Sequence, residues 1–154
     1  MRYATETTVS VEKSKAEIER LVIRYGAEGY STSWRNDFAR IEFIMNGRHI
    51  RLDLALPDKT DERFRLTKKN RERTEESAYR MWERECRSMW RALKMIIHAK
   101  LEAVEIGLST YDREFMADIM LPDGKTVGDA VLPKIDMAYK SGAVGFLLPE
   151  YGGE

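Results

Sequence analysis

The chain has 154 residues, of which 43% are hydrophobic and 34% are charged, which suits one domain over residues 1–154 with a sizeable core. Its 26 Lys and Arg residues balance 26 Asp and Glu residues, so any basic behaviour must be local. A single cysteine, Cys86, excludes an intramolecular disulfide framework, and no apolar run approaches the roughly 20 residues of a membrane span. Because the start of the sequence also lacks the apolar centre of a signal peptide, we expect a soluble intracellular protein without a membrane partner.

The first predicted element is a helix from about residue 11 to residue 25. Ser10 can cap its start, Gly26 is a stop signal, and apolar residues recur on one face at helical spacing. These apolar residues are Ile18, Leu21, Val22 and Tyr25.

Residues 29–57 predict a three-stranded antiparallel meander that ends at Pro57. Asn46-Gly47 is a strong hairpin signal because both positions tolerate positive φ. A two-residue turn there gives two apolar pairs on one face and two oppositely charged pairs on the other, so both faces support the register. The pairs are Phe43 with Ile50, Ile41 with Leu52, Glu42 with Arg51, and Arg40 with Asp53. If Asn36-Asp37 forms the preceding turn, Tyr30, Thr32 and Trp34 join the apolar face beside Ala39.

Residues 58–77 have no apolar periodicity, and connections of this length are usually functional or disordered. A helix of about 30 residues then begins near Thr74 and ends at Gly107. Its predicted apolar stripe lies opposite a row of cations and consists of Ala78, Trp82, Cys86, Met89, Leu93, Ile96, Ile97 and Val104. The last third predicts short helices, with Ser109 or Thr110, Thr126 and Pro133 at helix starts and a turn at LPDG.

These elements predict the α+β class: an N-terminal helix, a three-stranded antiparallel meander, a long loop, a long amphipathic helix packed on the sheet, and short C-terminal helices. The helix and the sheet should share one core. Its expected members are Trp34, Ile41, Phe43, Ile50, Leu52, Trp82, Met89 and Leu93.

Four segments carry a resemblance that covers most of the chain. They are SKAEIERLVIRYGAEGY, NGRHIRLDLALPD, HAKLEAVEIG and LPDGKTVGDAV. In these segments the chain resembles a group of small uncharacterised proteins of temperate phages and prophages. The motifs are turns and helix ends, so the resemblance implies no catalytic role. It implies a phage accessory protein that works on DNA or on a host system in the host cytoplasm.

The sequence offers little support for catalysis. With only two histidines, His49 and His98, and one cysteine, a zinc site would need carboxylates as well. Carboxylates between Asp53 and Glu62 could suggest a magnesium-dependent nuclease, but Asp53 already has Arg40 as a predicted partner. Serine-nucleophile and phosphate-loop motifs are absent from the sequence. We therefore expect no catalytic residue, metal or cofactor, and an enzyme is a minority hypothesis.

The candidate binding residues are cations in two places. The long helix carries Arg80, Arg84, Arg87, Arg91, Lys94 and His98 at alternating spacings of four and three, which we call the basic stripe. The preceding loop adds Lys68, Lys69 and Arg71. Such a surface can neutralise phosphates, so the sequence predicts non-enzymatic binding of nucleic acid, largely without sequence specificity.

Three other interpretations stay open. The same cations could contact a host protein or nucleoprotein complex, as expected for an anti-defence inhibitor. A homodimer along the long helix would give an interaction protein. The stripe could also be a solvated surface in which Glu83 pairs with Arg80 and Arg87. Trp82 and Trp90 could stack on bases, but their helical positions assign them to the core.

Overall fold

The computed structural model describes residues 7–35 and 38–145, which form the predicted α+β fold. Within these residues the helices and strands follow in a simple order. They are α1 (Val11–Arg24), β1 (Gly29–Arg35), β2 (Phe38–Met45), β3 (Arg48–Ala55), α2 (Glu62–Arg65), α3 (Glu75–Glu105), α4 (Tyr111–Phe115), a 3-10 helix (Met116–Asp118) and α5 (Val127–Ser141). The described residues contain no helix with the length and apolarity needed to cross a membrane.

The first helix, α1, matches its prediction to within one residue at its end. Ser10 is the N-cap, and its side chain accepts a hydrogen bond from the backbone N–H of Lys13 at 3.1 Å. Ile18, Leu21 and Val22 are buried, as their spacing predicts.

The sheet has the strand order β1-β2-β3, and all four predicted pairs between β2 and β3 are confirmed. Asn46 and Gly47 form the turn with φ values of 52° and 71°. These values lie in the left-handed region, which glycine and asparagine adopt more readily than other residues. The predicted Asn36-Asp37 turn lies outside the described residues, although Arg35 pairs with Phe38 on either side of it. At the opposite edge, Ile119 forms a bridge with Ile50 of β3.

One hydrophobic core joins the sheet to the helices. The fully buried members include Ile41, Phe43, Met45 and Ile50 from the sheet, Ile18 and Val22 from α1, Trp90, Ile97 and Leu101 from α3, and Phe115 from α4. Leu52 and Leu93 pack against this cluster and are partly buried. The rings of Phe43 and Phe115 meet edge to face with centroids 5.7 Å apart.

The core prediction is wrong for three residues. Trp82 and Met89 are half-buried and lie outside the main cluster. Trp34 pairs with Ala39 as predicted, but its side chain is 69% exposed. Trp34 lies near the end of the outer strand β1, where its ring lines an open groove with residues of α1 and α3 and is not covered by them.

The long helix α3 has 31 residues; Thr74 is its N-cap, and Gly107, with a φ of 79°, follows its C-cap. Its buried side chains include Cys86, Trp90, Ile97 and Leu101, whereas Ile96 is 46% exposed. The predicted stripe is therefore rotated. The rotation arises because α1 packs along one side of α3, so the basic stripe lies beside α1 rather than opposite the core.

The segment between Pro57 and α3 is structured. Asp61 caps the short helix α2, whose Phe64 is 4% exposed, and Leu66 then pairs with Glu72 across a turn. The indole N–H of Trp82 donates a hydrogen bond of 2.7 Å to the carbonyl of Pro57, which ties the beginning of the segment to α3.

In the C-terminal third the predicted helix starts and the predicted turn are confirmed, except the helix start at Pro133. Thr110 caps α4, and Thr126 forms a capping box with Asp129 at the start of α5. LPDG is a turn with Gly124 at a φ of 86°. Pro133 begins no helix of its own but lies inside α5, because the capping box at Thr126 already starts a helix that continues past the missing N–H.

Candidate nucleic-acid interface

Lys68, Lys69 and Arg71 lie on the turn that connects Leu66 to Glu72, and we call these three residues the basic turn. The turn is closed by backbone hydrogen bonds from the Thr67 N–H to the Arg71 carbonyl at 2.8 Å and from the Asn70 N–H to the Thr67 carbonyl at 2.9 Å. Asn70 adopts a φ of 59°, a conformation that asparagine tolerates well. The three cations are exposed at the tip of this turn.

The base of the basic turn is anchored. The Arg73 N–H donates to the Arg65 carbonyl at 2.7 Å, and the Arg73 guanidinium donates to the Leu66 carbonyl at 3.3 Å. Among the residues that the structure describes, no carboxylate lies within ion-pairing distance of Lys68, Lys69 or Arg71. The turn therefore offers three cations that internal acids do not neutralise.

The basic stripe on α3 is largely partnered. Arg80 pairs with Glu76, Arg87 lies 3.9 Å from Glu83, and Arg91 pairs with Glu17 of α1. The predicted pairing of Glu83 with Arg87 is thus present, whereas the partner of Arg80 is Glu76, one turn earlier on the helix. Arg84 is exposed and also takes part in an interaction. The stripe is not a continuous band of free positive charge.

Arg91, Lys94 and His98 line a groove of about 290 Å³ between α1 and α3, where Arg20 and Arg24 also lie. The hydrogen bond from Arg91 lowers the pKa of Glu17, so this carboxylate stays charged and offsets part of the local positive potential. Of these three stripe residues, Arg91 holds α1 against α3 through its ion pair with Glu17.

The structure reveals a second surface, which we call the aromatic groove. It has a volume of about 480 Å³ and is lined by four aromatic side chains and two lysines, together with Glu12 and Glu83. The aromatic residues and lysines are Trp34, Tyr79, Trp82, Trp90, Lys15 and Lys59. Tyr79 is 50% exposed and Trp90 only 3%, so Trp34 and Tyr79 present most of the accessible ring surface.

The two lysines lie against the rings of the aromatic groove. The Lys59 Nζ is 4.3 Å from the centroid of the Trp82 ring and 5.6 Å from that of Tyr79. The Lys15 Nζ is 4.9 Å from the centroid of the Trp90 ring. These cation–π contacts hold positive charge inside the groove.

The aromatic groove and the base of the basic turn are neighbours. A hollow of about 470 Å³ shares Lys59, Tyr79 and Trp82 with the groove, and Arg65 and Arg73 line its other side. Glu72 and Glu75 also line this hollow, so its charge is mixed. Excess positive charge is therefore concentrated at the basic turn, while the groove supplies ring surface.

The aromatic groove was missed because sequence periodicity assigned its tryptophans to the core. Tyr79 and Trp82 lie three residues apart on α3, and their ring centroids are 5.5 Å from each other. Their spacing in the sequence already indicated that the two rings would be neighbours on one face of the helix. Which face of α3 the other helices leave open is set by long-range packing.

Outside these surfaces we considered the described residues that could bind a metal ion or act as a nucleophile. In residues 7–35 and 38–145, no group of three or more His, Cys, Asp or Glu side chains is arranged to hold a metal ion. Burial raises the pKa of the Cys86 thiol, which disfavours the reactive thiolate. His49 lies 3.2 Å from Glu42 across the exposed face of the sheet.

Comparison of the chain with protein-family models, curated proteins and solved structures finds no match.

Proposed function

We propose that this protein binds nucleic acid without reading its sequence, using the basic turn as its principal phosphate contact. The observation that carries the proposal is the group of three exposed cations, Lys68, Lys69 and Arg71, that no described carboxylate neutralises. Lys and Arg side chains that contact phosphates release counterions from the polyanion, which supplies most of the affinity of non-specific binding. A phage accessory protein acting in the host cytoplasm is the biological setting of this proposal.

The basic stripe contributes less to this function than its spacing suggests. Arg80, Arg87 and Arg91 would have to exchange a carboxylate for a phosphate, which reduces the net gain in free energy. Three contacts from the basic turn give a slope of log K against log salt of about −2 to −3. Additional contacts from Arg84 or Lys94 would make the slope steeper.

The experiment is a fluorescence anisotropy titration of labelled single-stranded and duplex oligonucleotides at two salt concentrations. The test variant replaces Lys68, Lys69 and Arg71 with Ala. The matched control replaces three exposed cations of α4 and α5, Arg113, Lys134 and Lys140, and therefore changes the net charge equally. We expect the test variant to lose most of its affinity and its salt dependence, while the control binds nearly as the wild type does. Absence of wild-type binding at low salt, or equal loss in both variants, would contradict the proposal.

A second candidate function is binding of a protein partner. It is favoured by α5, where Leu132 is 60% exposed and Tyr139, seven residues later on the same face, is 89% exposed. A second copy of this chain is the simplest partner, and light scattering at high concentration tests it. For an inhibitor of a host protein, the partner should instead be captured from nuclease-treated lysate and lost when Leu132 and Tyr139 are both changed to Ser.

A further inference from the structure

We propose that the aromatic groove receives unpaired bases, so that the ligand of this protein is single-stranded nucleic acid. This inference rests on the proposed function, because it names the form of nucleic acid that the basic turn contacts. The groove combines two exposed aromatic rings, two lysines and a volume of about 480 Å³.

Ring exposure is the first observation. Trp34 is 69% exposed and Tyr79 is 50% exposed, although both belong to regular elements whose other large side chains help to build the core. Every base has a flat apolar face, and its stacking on an aromatic side chain is tolerant of sequence. Exposed rings therefore suit binding that does not depend on the sequence of the bases.

The volume of the groove is the second observation. At about 480 Å³ it falls within the range of roughly 300 to 1,000 Å³ that is typical of sites for small organic groups. Trp34 from the end of β1 and Tyr79 and Trp82 from α3 contribute rings to its lining. The volume is therefore sufficient for a planar base beside these rings.

The two lysines favour a nucleic acid over an apolar peptide, although Glu12 and Glu83 line the same groove. Lys15 and Lys59 lie over ring faces with no carboxylate within ion-pairing distance in the described part of the chain. Each lysine has a flexible stem and can move from the ring to a phosphate when a base takes its place. The sugar-phosphate chain supplies an anion next to every base, which matches this alternation of rings and lysines, whereas an apolar peptide supplies none.

The path from the groove to the basic turn favours a single strand over a duplex. The shared hollow extends from Lys59, Tyr79 and Trp82 to Arg73 at the base of the basic turn, with Glu72 and Glu75 also in its lining. A single strand is flexible enough to place bases in the groove while its phosphates continue to Lys68, Lys69 and Arg71. In a duplex the base faces are hidden in the stack, and exposing one costs several kcal/mol by general estimates of base flipping, about the gain from one stack.

The test compares Trp34→Ala with Leu108→Ala, which removes an exposed apolar side chain (79% against 69% for Trp34) that lies after the end of α3 and does not line the groove. Anisotropy titrations use a labelled mixed-sequence single strand and the corresponding duplex. We expect wild type to prefer the single strand. Trp34→Ala should weaken single-strand binding by about 5- to 100-fold and leave duplex binding and the salt slope unchanged. Trp34→Phe should retain most of the affinity, and Leu108→Ala should behave as wild type.

The outcomes separate this inference from the proposed function. If wild type binds both ligands and Trp34→Ala binds the single strand equally well, the inference is wrong and the proposed function stands. If wild type binds neither ligand at low salt, the proposed function fails and the inference fails with it. If Trp34→Ala and Trp34→Phe lose both ligands equally while Tyr79→Ala has no effect, Trp34 supports the strand end rather than a base, which also overturns the inference.

Discussion

Two adjacent isoleucines on α3 provide a direct test of the helix orientation on which the aromatic groove depends. Ile97 is fully buried in the core, whereas Ile96 is 46% exposed, because consecutive helical residues point about 100° apart. Replacing each with Ala removes the same three carbon atoms from the same helix turn. The two variants therefore share changes in helix propensity and differ in burial.

The expected magnitudes follow from that difference. Removal of three buried carbons at about 0.8 kcal/mol each gives about 2.4 kcal/mol for Ile97→Ala, and the cavity term can raise this toward about 4. Alanine returns less than about 0.7 kcal/mol through its higher helix propensity. Because Ile96 is only about half buried, Ile96→Ala loses about half of this transfer free energy. The higher helix propensity of alanine offsets part of that loss, which leaves a cost below about 1 kcal/mol.

The assay is urea unfolding followed by circular dichroism, with both variants measured beside the wild type. We expect the free energies of unfolding of the two variants to differ by about 2 kcal/mol or more, with similar denaturant dependence. Equal losses, within about 0.5 kcal/mol, would refute the orientation of α3. Such a result would also move Tyr79 and Trp82 away from the aromatic groove, since their direction is set by the same helix.

Three further predictions concern single contacts. Because the Arg91 guanidinium lowers the pKa of Glu17, the stabilisation from this pair is complete above about pH 4.5 and is lost as the pH falls through the lower pKa of the folded state. Glu17→Gln should therefore reduce the free energy of unfolding by up to about 1 kcal/mol at neutral pH and by less in acid; a pH-independent difference between the two urea curves would contradict this. A Cβ at Gly128 would lie 2.9 Å from the Ala117 carbonyl oxygen, so Gly128→Ala should cost about 1 to 3 kcal/mol in the same assay, and a more stable variant would show that the contact is absent. Cys86 is 6% exposed with a raised pKa, so an alkylating reagent should label it much faster in urea than in buffer; equal rates would place the thiol at the surface.

Local chemistry explains the parts of the fold that the sequence predicted. The Asn46-Gly47 turn, the cross-strand pairs such as Arg40 with Asp53, and the caps at Ser10 and Thr126 each depend on residues within about a dozen positions of one another. At such separations turn conformation, strand alternation and capping leave few alternatives. Once each element is predicted correctly, the order of the elements along the chain is known as well.

The predictions that failed depend on contacts between distant residues. Trp34 has the alternation of a core residue, but whether it is covered depends on how far α1 and α3 extend over the sheet. Arg91 belongs to a stripe with helical spacing, yet its partner Glu17 lies 74 positions earlier in the chain. The spacing of cations on one helix could not show that another helix supplies the opposite charge.

The bridge between Ile119 and Ile50 has a consequence for aggregation. Together with the hydrogen bond of 2.8 Å from the Met120 N–H to the His49 carbonyl, it occupies part of the outer row of backbone groups on β3. In the described part of the chain, no segment bridges to the outer side of β1, so a foreign strand could add there without displacing a bridged segment, whereas along the whole of β3 it would displace Ile119. Pairing between copies at the free side joins β1 to β1 in a two-fold arrangement and leaves each copy only the partly occupied side of β3. Growth beyond a pair along the full length of β3 therefore requires displacement of the Ile119 bridge.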